Sequence, residues 1–397
     1  MEIPWGTDEY LDESQFYNRS DDLEFLRGLL NSTQFGSSPT ILLTGVRGVG
    51  KTALINQLKR DFKEEYLVIS LNLSATDSYQ KGKLTREGFM KKLYAETIKS
   101  CEEMNIIDTI STKVKKFFKT NNIKLKENLL KIENIALPLP IFSEDYTKLA
   151  EYIMDLPQEI CDEYSDIIKE VFIFIDEFQN IKDLDEMESF LWYLRSKVQS
   201  QKNVAYLFSG SMNIKDSLIG DIAGKKGAFG GRMLTVHIEP FSYETTKSYL
   251  NQNASYLNFT EDGMKRFYNC SRGIPYYINT FAKLISRDKV LDENTVIFEF
   301  KKTLRFLAIH LINQWNQLTF QEQNIIVQLL DSPLKRVEIA KKLNITSGSI
   351  SKPLRKLMDN VLIDLNDEGK YEVADPILTA WLKNEFDKKG VYPFRSL

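Results

Sequence analysis

An α/β fold with a parallel sheet, followed by a helical lid and a small α+β domain, is what this sequence predicts, and three observations predict it. A glycine-rich turn at 45–50 joins a short apolar strand (41–44) to a helical stretch (51–62). The continuous apolar run Val171-Phe172-Ile173-Phe174-Ile175 has the pattern of a strand covered on both faces. Beyond residue 318, three short helical patterns and a hairpin signal form a unit of their own.

Taken in order, residues 1–20 read as a polar N-terminal arm. Leu23, Leu26, Leu29 and Leu30 then recur at helical spacing. Strand 41–44, the turn and helix 51–62 follow, then a second strand at 66–73 and a helix at 89–104. Residues 105–142 break the alternating rhythm: a basic stretch, KVKKFFKTNNIKLK, precedes an extended pattern with two prolines. They read as an insertion carrying a helix and a β-hairpin. A helix at 145–163, the 171–175 strand, a helix at 184–200 and strands at 204–208 and 234–238 complete a core spanning 21–240. Strands alternating with helices argue for right-handed βαβ units. Helical patterns at 242–252, 260–270 and 274–287 suggest a lid over 241–300. A connecting helix at 300–317 leads to the last unit, so that 301–397 holds the connector and a helix-turn-helix domain.

Composition narrows the class. With 397 residues the chain exceeds one ordinary core. Its 43% hydrophobic and 27% charged content are those of a soluble globular protein. A net charge of −3 excludes bulk attraction to polyanions, so any nucleic-acid contact must be local. Cys101, Cys161 and Cys270 form no CxxC pair, and His237 and His310 are the only histidines, which argues against a disulfide framework or a zinc site. The acidic start MEIPWGTDEYLDESQ lacks an apolar core and no run approaches the ~20 residues of a membrane span. A cytoplasmic protein without a membrane partner is expected.

The chemistry concentrates at Gly45-Val46-Arg47-Gly48-Val49-Gly50-Lys51-Thr52, which satisfies GxxxxGK[ST] between a strand and a helix. Such a P-loop turns successive N–H groups inward around phosphate oxygens, and the following helix dipole adds positive potential. Lys51 would reach the β- and γ-phosphates, and the Thr52 hydroxyl would ligate Mg²⁺. Asp176 and Glu177 end the apolar strand at the edge where open α/β sheets bind ligands. Asp176 is expected to hold the magnesium and Glu177 to polarise the attacking water of ATP hydrolysis. Binding of ATP without turnover remains a separate reading.

With these motifs on the page, the chain resembles the archaeal-type ATPases, a branch of the STAND/AAA+ P-loop NTPases. FYNRSDDL (16–23), GVRGVGKT (45–52), VFIFIDEFQN (171–180), LFSGS (207–211), FGGRMLTVHIEPF (229–241) and RGIPYY (272–277) carry the likeness. The resemblance implies a P-loop NTPase core, a helical lid and a C-terminal winged helix, a layout similar to that of archaeal replication-origin initiators. It also implies roles that spacing alone does not give. Arg19 would lie near the nucleotide, or is simply a charge at a helix start. Ser209 and Ser211 fall where relatives carry a γ-phosphate sensor, although Ser211 also suits an N-cap for 213–219. Arg232 would act as a finger on a neighbouring subunit's nucleotide, or is a surface charge in a glycine-rich loop. Gly273-Ile274-Pro275 resembles a lid motif that packs near the adenine, and Arg272 is the nearby candidate for the lid arginine of standard AAA+ proteins.

In the last unit, helical patterns at 320–330, 335–343 and 347–358 and a hairpin at 361–374 read as a winged helix. Ser347, Ser349, Ser351, Lys352, Arg355 and Lys356 lie on the recognition-helix candidate, where hydroxyls and cations suit phosphates and base edges. The wing tip Asp367-Glu368 is acidic, and winged helices also bind proteins. Expected partners are therefore ATP with Mg²⁺ and either double-stranded DNA or a protein, including a second copy of the chain. The lysines of 114–126 read as a solvated helix face or a further nucleic-acid contact.

Overall fold

The computed structural model describes residues 3–5, 11, 15–36, 38–121, 123, 125–132, 135–140, 142–212, 217–366 and 368–394. Half of the expected arm, part of the segment that Ser211 would cap, and Asp367 of the wing tip lie outside these residues.

The core follows the order α1 (Ser20–Asn31), β1 (Thr40–Thr44), α2 (Lys51–Phe62), β2 (Leu67–Asn72), α3 (Asp77–Gln80), α4 (Arg86–Glu103) and α5 (Ile107–Thr120). The hairpin β3 (Leu125–Ile132) and β4 (Ile135–Pro140), α6 (Phe142–Glu163), β5 (Val171–Asp176), α7 (Met187–Ser200), β6 (Val204–Ser209), α8 (Ser217–Ala223) and β7 (Leu234–His237) complete it. Five strands make one parallel sheet in the order β2-β5-β6-β1-β7. Because the chain leaves β1 for the far edge and returns, the C-terminal ends of β1, β6 and β5 border one crevice, as open α/β sheets require of a binding site.

The apolar run of β5 is explained by burial on two sides. Phe172 and Phe174 pack with Leu26, Ile41, Leu54 and Leu207 on the face covered by α1 and α2. Val171, Ile173 and Ile175 pack with Phe89, Leu93, Leu194 and Phe208 on the other. The expected insertion is a helix and an antiparallel hairpin. It is also part of the core, since Ile110, Val114 and Phe118 of α5 are buried in that second cluster. Beside this buried face, Lys113 of α5 pairs with Glu159 and Glu163 of α6.

The rest is mainly helical: α9 (Tyr243–Asn253), α10 (Glu261–Ser271), α11 (Pro275–Leu284), α12 (Glu293–Leu307), α13 (Ile309–Gln317), α14 (Phe320–Leu329), α15 (Arg336–Lys342), α16 (Ser351–Asp359) and α17 (Pro376–Lys389). Short strands β8 (Asn258–Phe259) and β9 (Val290–Leu291) pair within the lid. Strands β10 (Ile363–Leu365) and β11 (Tyr371–Val373) form the wing. Side-chain caps set many of these starts: Ser242, Thr260, Asp292 and Asp375 each accept a backbone N–H of the first turn, and Thr319 forms a capping box with Glu322.

Three expectations change. The connecting helix is two helices, α12 and α13, broken at Ala308, and the expected boundary at 300 falls inside α12. The recognition helix begins at Ser351 rather than 347, because Ser349 Oγ donates to Thr346 O (2.8 Å) and holds the preceding residues in a turn. Lid and winged helix share one core, with Phe281, Phe300, Leu304, Trp315, Ile325 and Leu378 in a single buried cluster. Ile3 of the N-terminal arm is buried in that cluster as well. No helix among the described residues is long and apolar enough to cross a membrane.

Candidate nucleotide site

The loop 45–50 is a backbone cradle. Gly45, Gly48 and Gly50 all have positive φ. At Gly48 a side chain is excluded twice over: φ is +80°, and a Cβ would meet Tyr276 Cβ at 2.6 Å. Gly50 caps α2 without a side chain, so the N–H groups of that helix's first turn stay open to an anion.

Lys51 is the central charge. It is only 6% exposed, and its Nζ donates to Gly45 O (2.8 Å), Val46 O (3.0 Å) and Ser211 Oγ (3.3 Å). Burial pushes its pKa down to about 8; Asp176 and Glu177 oppose that fall and Arg47 adds to it. All three acceptors belong to the cradle and its neighbouring strand end, so the ammonium lies folded onto the place where phosphate oxygens would compete for it.

Thr52 Oγ1 donates to Asp176 Oδ2 (2.8 Å), which sets a hydroxyl and a carboxylate side by side at the end of β5. Asp176 Oδ1 accepts the Glu177 N–H (2.9 Å). Glu177 itself is left-handed (φ 57°), a conformation that turns the chain sharply off the strand. Its Oε2 accepts a hydrogen bond from Gln179 Nε2. The oxygen donors of Thr52 and Asp176 suit magnesium, which takes few protein ligands and leaves the rest to phosphate and water. No cluster of three or more His, Cys, Asp or Glu side chains suited to a metal occurs among the described residues.

Arg19 crosses from the start of α1 to the loop, where Nη2 donates to Val49 O (3.1 Å) and Glu239 O (2.8 Å) and Nη1 to Asp22 (3.1 Å). Its guanidinium lies over the Phe241 ring at 4.9 Å. Pro275 opens α11, and the next residue donates its N–H to Gly48 O (3.1 Å), so the lid sits directly on the cradle. Between cradle, lid and winged helix lies a cavity of about 690 Å³ whose walls include Val46, Arg266, Arg272, Ile274, Pro333 and Pro376. It is large enough for a nucleoside.

Other sequence candidates fall elsewhere. The structure brings Ser211 to Lys51 and not Ser209, whose hydroxyl is buried within the sheet without a partner. Arg232 is exposed just before β7, at the sheet edge opposite the cradle, because β7 runs parallel to β1 with Leu234 beside Ile41. It is therefore not part of the site within one chain. His237 shares a hydrogen bond with Thr44 Oγ1 (2.9 Å), and burial lowers its pKa.

On the winged helix, Ser349, Lys352 and Arg355 face solvent. Lys356, on the same helix, is half exposed and already has a partner. It is held by Glu322 (2.8 Å), a buried carboxylate of the α14 capping box. Sequence reasoning also missed Gln179, which lies inside the DEFQN run, and Tyr277, which donates to Asp375 at the start of α17. The charge of Arg47 is felt nearby: it helps burial lower the His310 pKa to about 4, and it opposes the rise that burial causes at Asp375.

A family model described as an ATPase domain predominantly from Archaea matches residues 16–281. The chain belongs to that family. The matched span takes in Arg19, the cradle, the β5 acids and the lid residues at 272–277. No curated protein matches the sequence. Among solved structures, a Walker-type ATPase of Pyrococcus abyssi is similar with a TM-score of 0.64 at 18% identity, over 94% of this chain and 97% of that one. The ORC2 protein of Aeropyrum pernix, in complexes with ADPNP and ADP, is similar with a TM-score of 0.53 at 13% identity, over 96% of each. At these identities the likeness is one of fold. It covers the ATPase core together with the C-terminal domain of this archaeal-type ATPase.

Proposed function

We propose that this ATPase is a magnesium-dependent, ATP-hydrolysing switch whose winged helix engages double-stranded DNA. The observation that carries the first half is the convergence on one crevice of Lys51, the Thr52–Asp176 pair and Glu177. The base and ribose would occupy the cavity beside Val46 and Ile274, with the phosphates in the cradle. Magnesium, held through Thr52 and Asp176, would neutralise phosphate charge. Lys51 exchanges its carbonyl partners for phosphate oxygens. Glu177 takes the proton of a water whose oxygen bonds to the γ-phosphorus as the bond to the β–γ bridging oxygen breaks, leaving ADP and phosphate.

The DNA reading rests on the exposed hydroxyl of Ser349, in the turn before α16, and the exposed cations Lys352 and Arg355 on α16, the helix that winged helices insert into the major groove. A second reading, a signalling ATPase whose winged helix closes the nucleotide site or binds protein, is favoured by the Tyr277–Asp375 bond and by Lys182 donating to Asn360 (3.4 Å). These contacts seat the winged helix on both lid and core.

Phosphate release with and without duplex DNA separates the readings. The wild-type protein should turn over Mg·ATP, Lys51→Ala should lose affinity, and Glu177→Gln should keep affinity while losing turnover. Nucleotide binding with no phosphate release above background in wild type or Glu177→Gln would make this a binding protein without hydrolysis. Joint Lys352→Glu and Arg355→Glu replacement should weaken DNA binding and flatten its salt dependence by about 2 in the log–log slope. Unchanged DNA affinity would leave the signalling reading.

A further inference from the structure

We propose that Gln179 is the positioning residue that ties the Glu177 carboxylate to the phosphate-sensing end of β6, so that occupancy at Lys51 and Ser211 sets where Glu177 points. The inference rests on the reading that Glu177 works on the attacking water.

Both ends of the Gln179 amide are engaged. Nε2 donates to Glu177 Oε2, and Oε1 accepts the Ser211 N–H at 3.0 Å. Ser211 Oγ in turn accepts from Lys51 Nζ at 3.3 Å. Lysine, serine, glutamine and glutamate thus form one path from the cradle to the acid, which enters Ser211 at its hydroxyl and leaves through its backbone N–H. An amide suits the middle of that path because it donates at one end and accepts at the other, which neither a carboxylate nor an ammonium can do.

The backbone makes room for this amide. A Cβ on Gly210 would meet Gln179 Oε1 at 2.8 Å and Met212 Cε at 2.6 Å, so only glycine lets the amide lie against the strand end. That strand end is itself tied to the cradle: Gly210 N–H donates to Leu43 O, and Gly45 N–H donates to Met212 O, each at 3.1 Å. On the other side, the left-handed turn at Glu177 and the Asn180 N–H to Glu177 O bond (3.0 Å) curl the 177–180 segment back toward Ser211.

When a γ-phosphate enters, Lys51 must release Gly45 O, Val46 O and Ser211 Oγ to reach it. Ser211 is then free to move toward the same phosphate, and Gln179, which holds the Ser211 backbone N–H, carries any movement of that N–H to the carboxylate two residues before it. Gln179 touches neither phosphate nor water in this scheme; it acts through Glu177.

The test uses the full chain with Mg·ATP, measuring single-turnover phosphate release and, separately, affinity for a fluorescent ATP analogue. Gln179→Ala should lower the turnover rate by about 10- to 100-fold, the effect expected of a misplaced catalytic group, with affinity within about twofold of wild type. Gln179→Glu preserves volume and the bond from Ser211, but loses the donor and sets a second carboxylate against Glu177. It should lose at least as much turnover, and it decides the matter should the alanine variant fail to fold. In a Glu177→Gln background, Gln179→Ala should change the residual rate by less than about twofold, because the two residues act as one unit.

Wild-type turnover in Gln179→Ala, a parallel loss of affinity, or losses that multiply in the double variant would each overturn the inference. Should the wild-type protein itself release no phosphate, the hydrolytic reading fails and this inference with it; should Glu177→Gln match an active wild type, the role of Glu177 fails and this inference with it. Should those two differ as expected while both Gln179 variants behave as wild type, the inference alone fails.

Discussion

Replacing Lys51 by methionine should abolish ATP binding and, at the same time, make the ligand-free protein more stable at pH 7. The reason is the burial of an ammonium whose hydrogen-bond partners among the described residues are two carbonyls and one hydroxyl. Its pKa falls from an ordinary 10.5 to about 8, with desolvation the largest cause. The sign follows from proton counting. Between pH 8 and 10.5 the unfolded chain holds this proton and the folded chain does not, so stability rises with pH across that window and the penalty is complete below it. At 1.36 kcal/mol per pH unit, the penalty reaches about 3 kcal/mol. Methionine keeps the length and apolar stem of lysine without the charge. Urea unfolding of both proteins at pH 7 and near pH 10 measures this directly. Lys51→Met should be the more stable by about 1–3 kcal/mol at pH 7, with the gap shrinking at the higher pH. Equal or lower stability of the variant at pH 7, or a gap that ignores pH, would refute the reasoning.

Two further outcomes follow from contacts across the lid and winged helix. Tyr277→Phe removes the donor to Asp375 without changing shape, and should destabilise the C-terminal half by about 1–3 kcal/mol, seen as an earlier unfolding step that Asp375→Ala does not deepen additively. Lys356→Ala breaks the link to Glu322 and should lower thermal stability by at most about 1 kcal/mol, since the lysine is half exposed, while leaving DNA affinity unchanged. A DNA-affinity loss in Lys356→Ala equal to that in Lys352→Ala would show that the ion pair opens on binding.

The parts of the fold legible in the sequence are those whose cause is local. The cradle is contiguous, and glycine recurs where φ must be positive. The five apolar residues of β5 announce burial on two faces, and the acids that follow it mark the sheet edge. What failed to show is what depends on register or on distant partners. Ser209 and Ser211 are chemically alike and two residues apart, but β6 ends at Ser209 inside the sheet and the chain turns before Ser211 reaches Lys51. The break at Ala308 follows a run of good helix formers, with no glycine or proline to signal it. Lys356 reads as a recognition-helix cation until Glu322, 34 residues earlier, is folded beneath it. Tyr277 and Asp375 are 98 residues apart, and each alone is ordinary.

The last two contacts bear on how a nucleotide would be felt at the C-terminal domain. Consecutive residues at the start of α11 hold opposite partners: the Tyr276 N–H binds the cradle at Gly48 O, and the Tyr277 hydroxyl binds Asp375 of the winged helix. A shift of the Gly48 carbonyl would therefore act on the first turn of α11 one residue away from the side chain that holds Asp375. The 690 Å³ cavity lies between the same three segments, where a bound base would bear on all of them at once. Coupling between cradle and winged helix therefore needs no mobile arm crossing the cleft. It needs only that the start of α11 has one seat when the cradle is empty and another when it is filled.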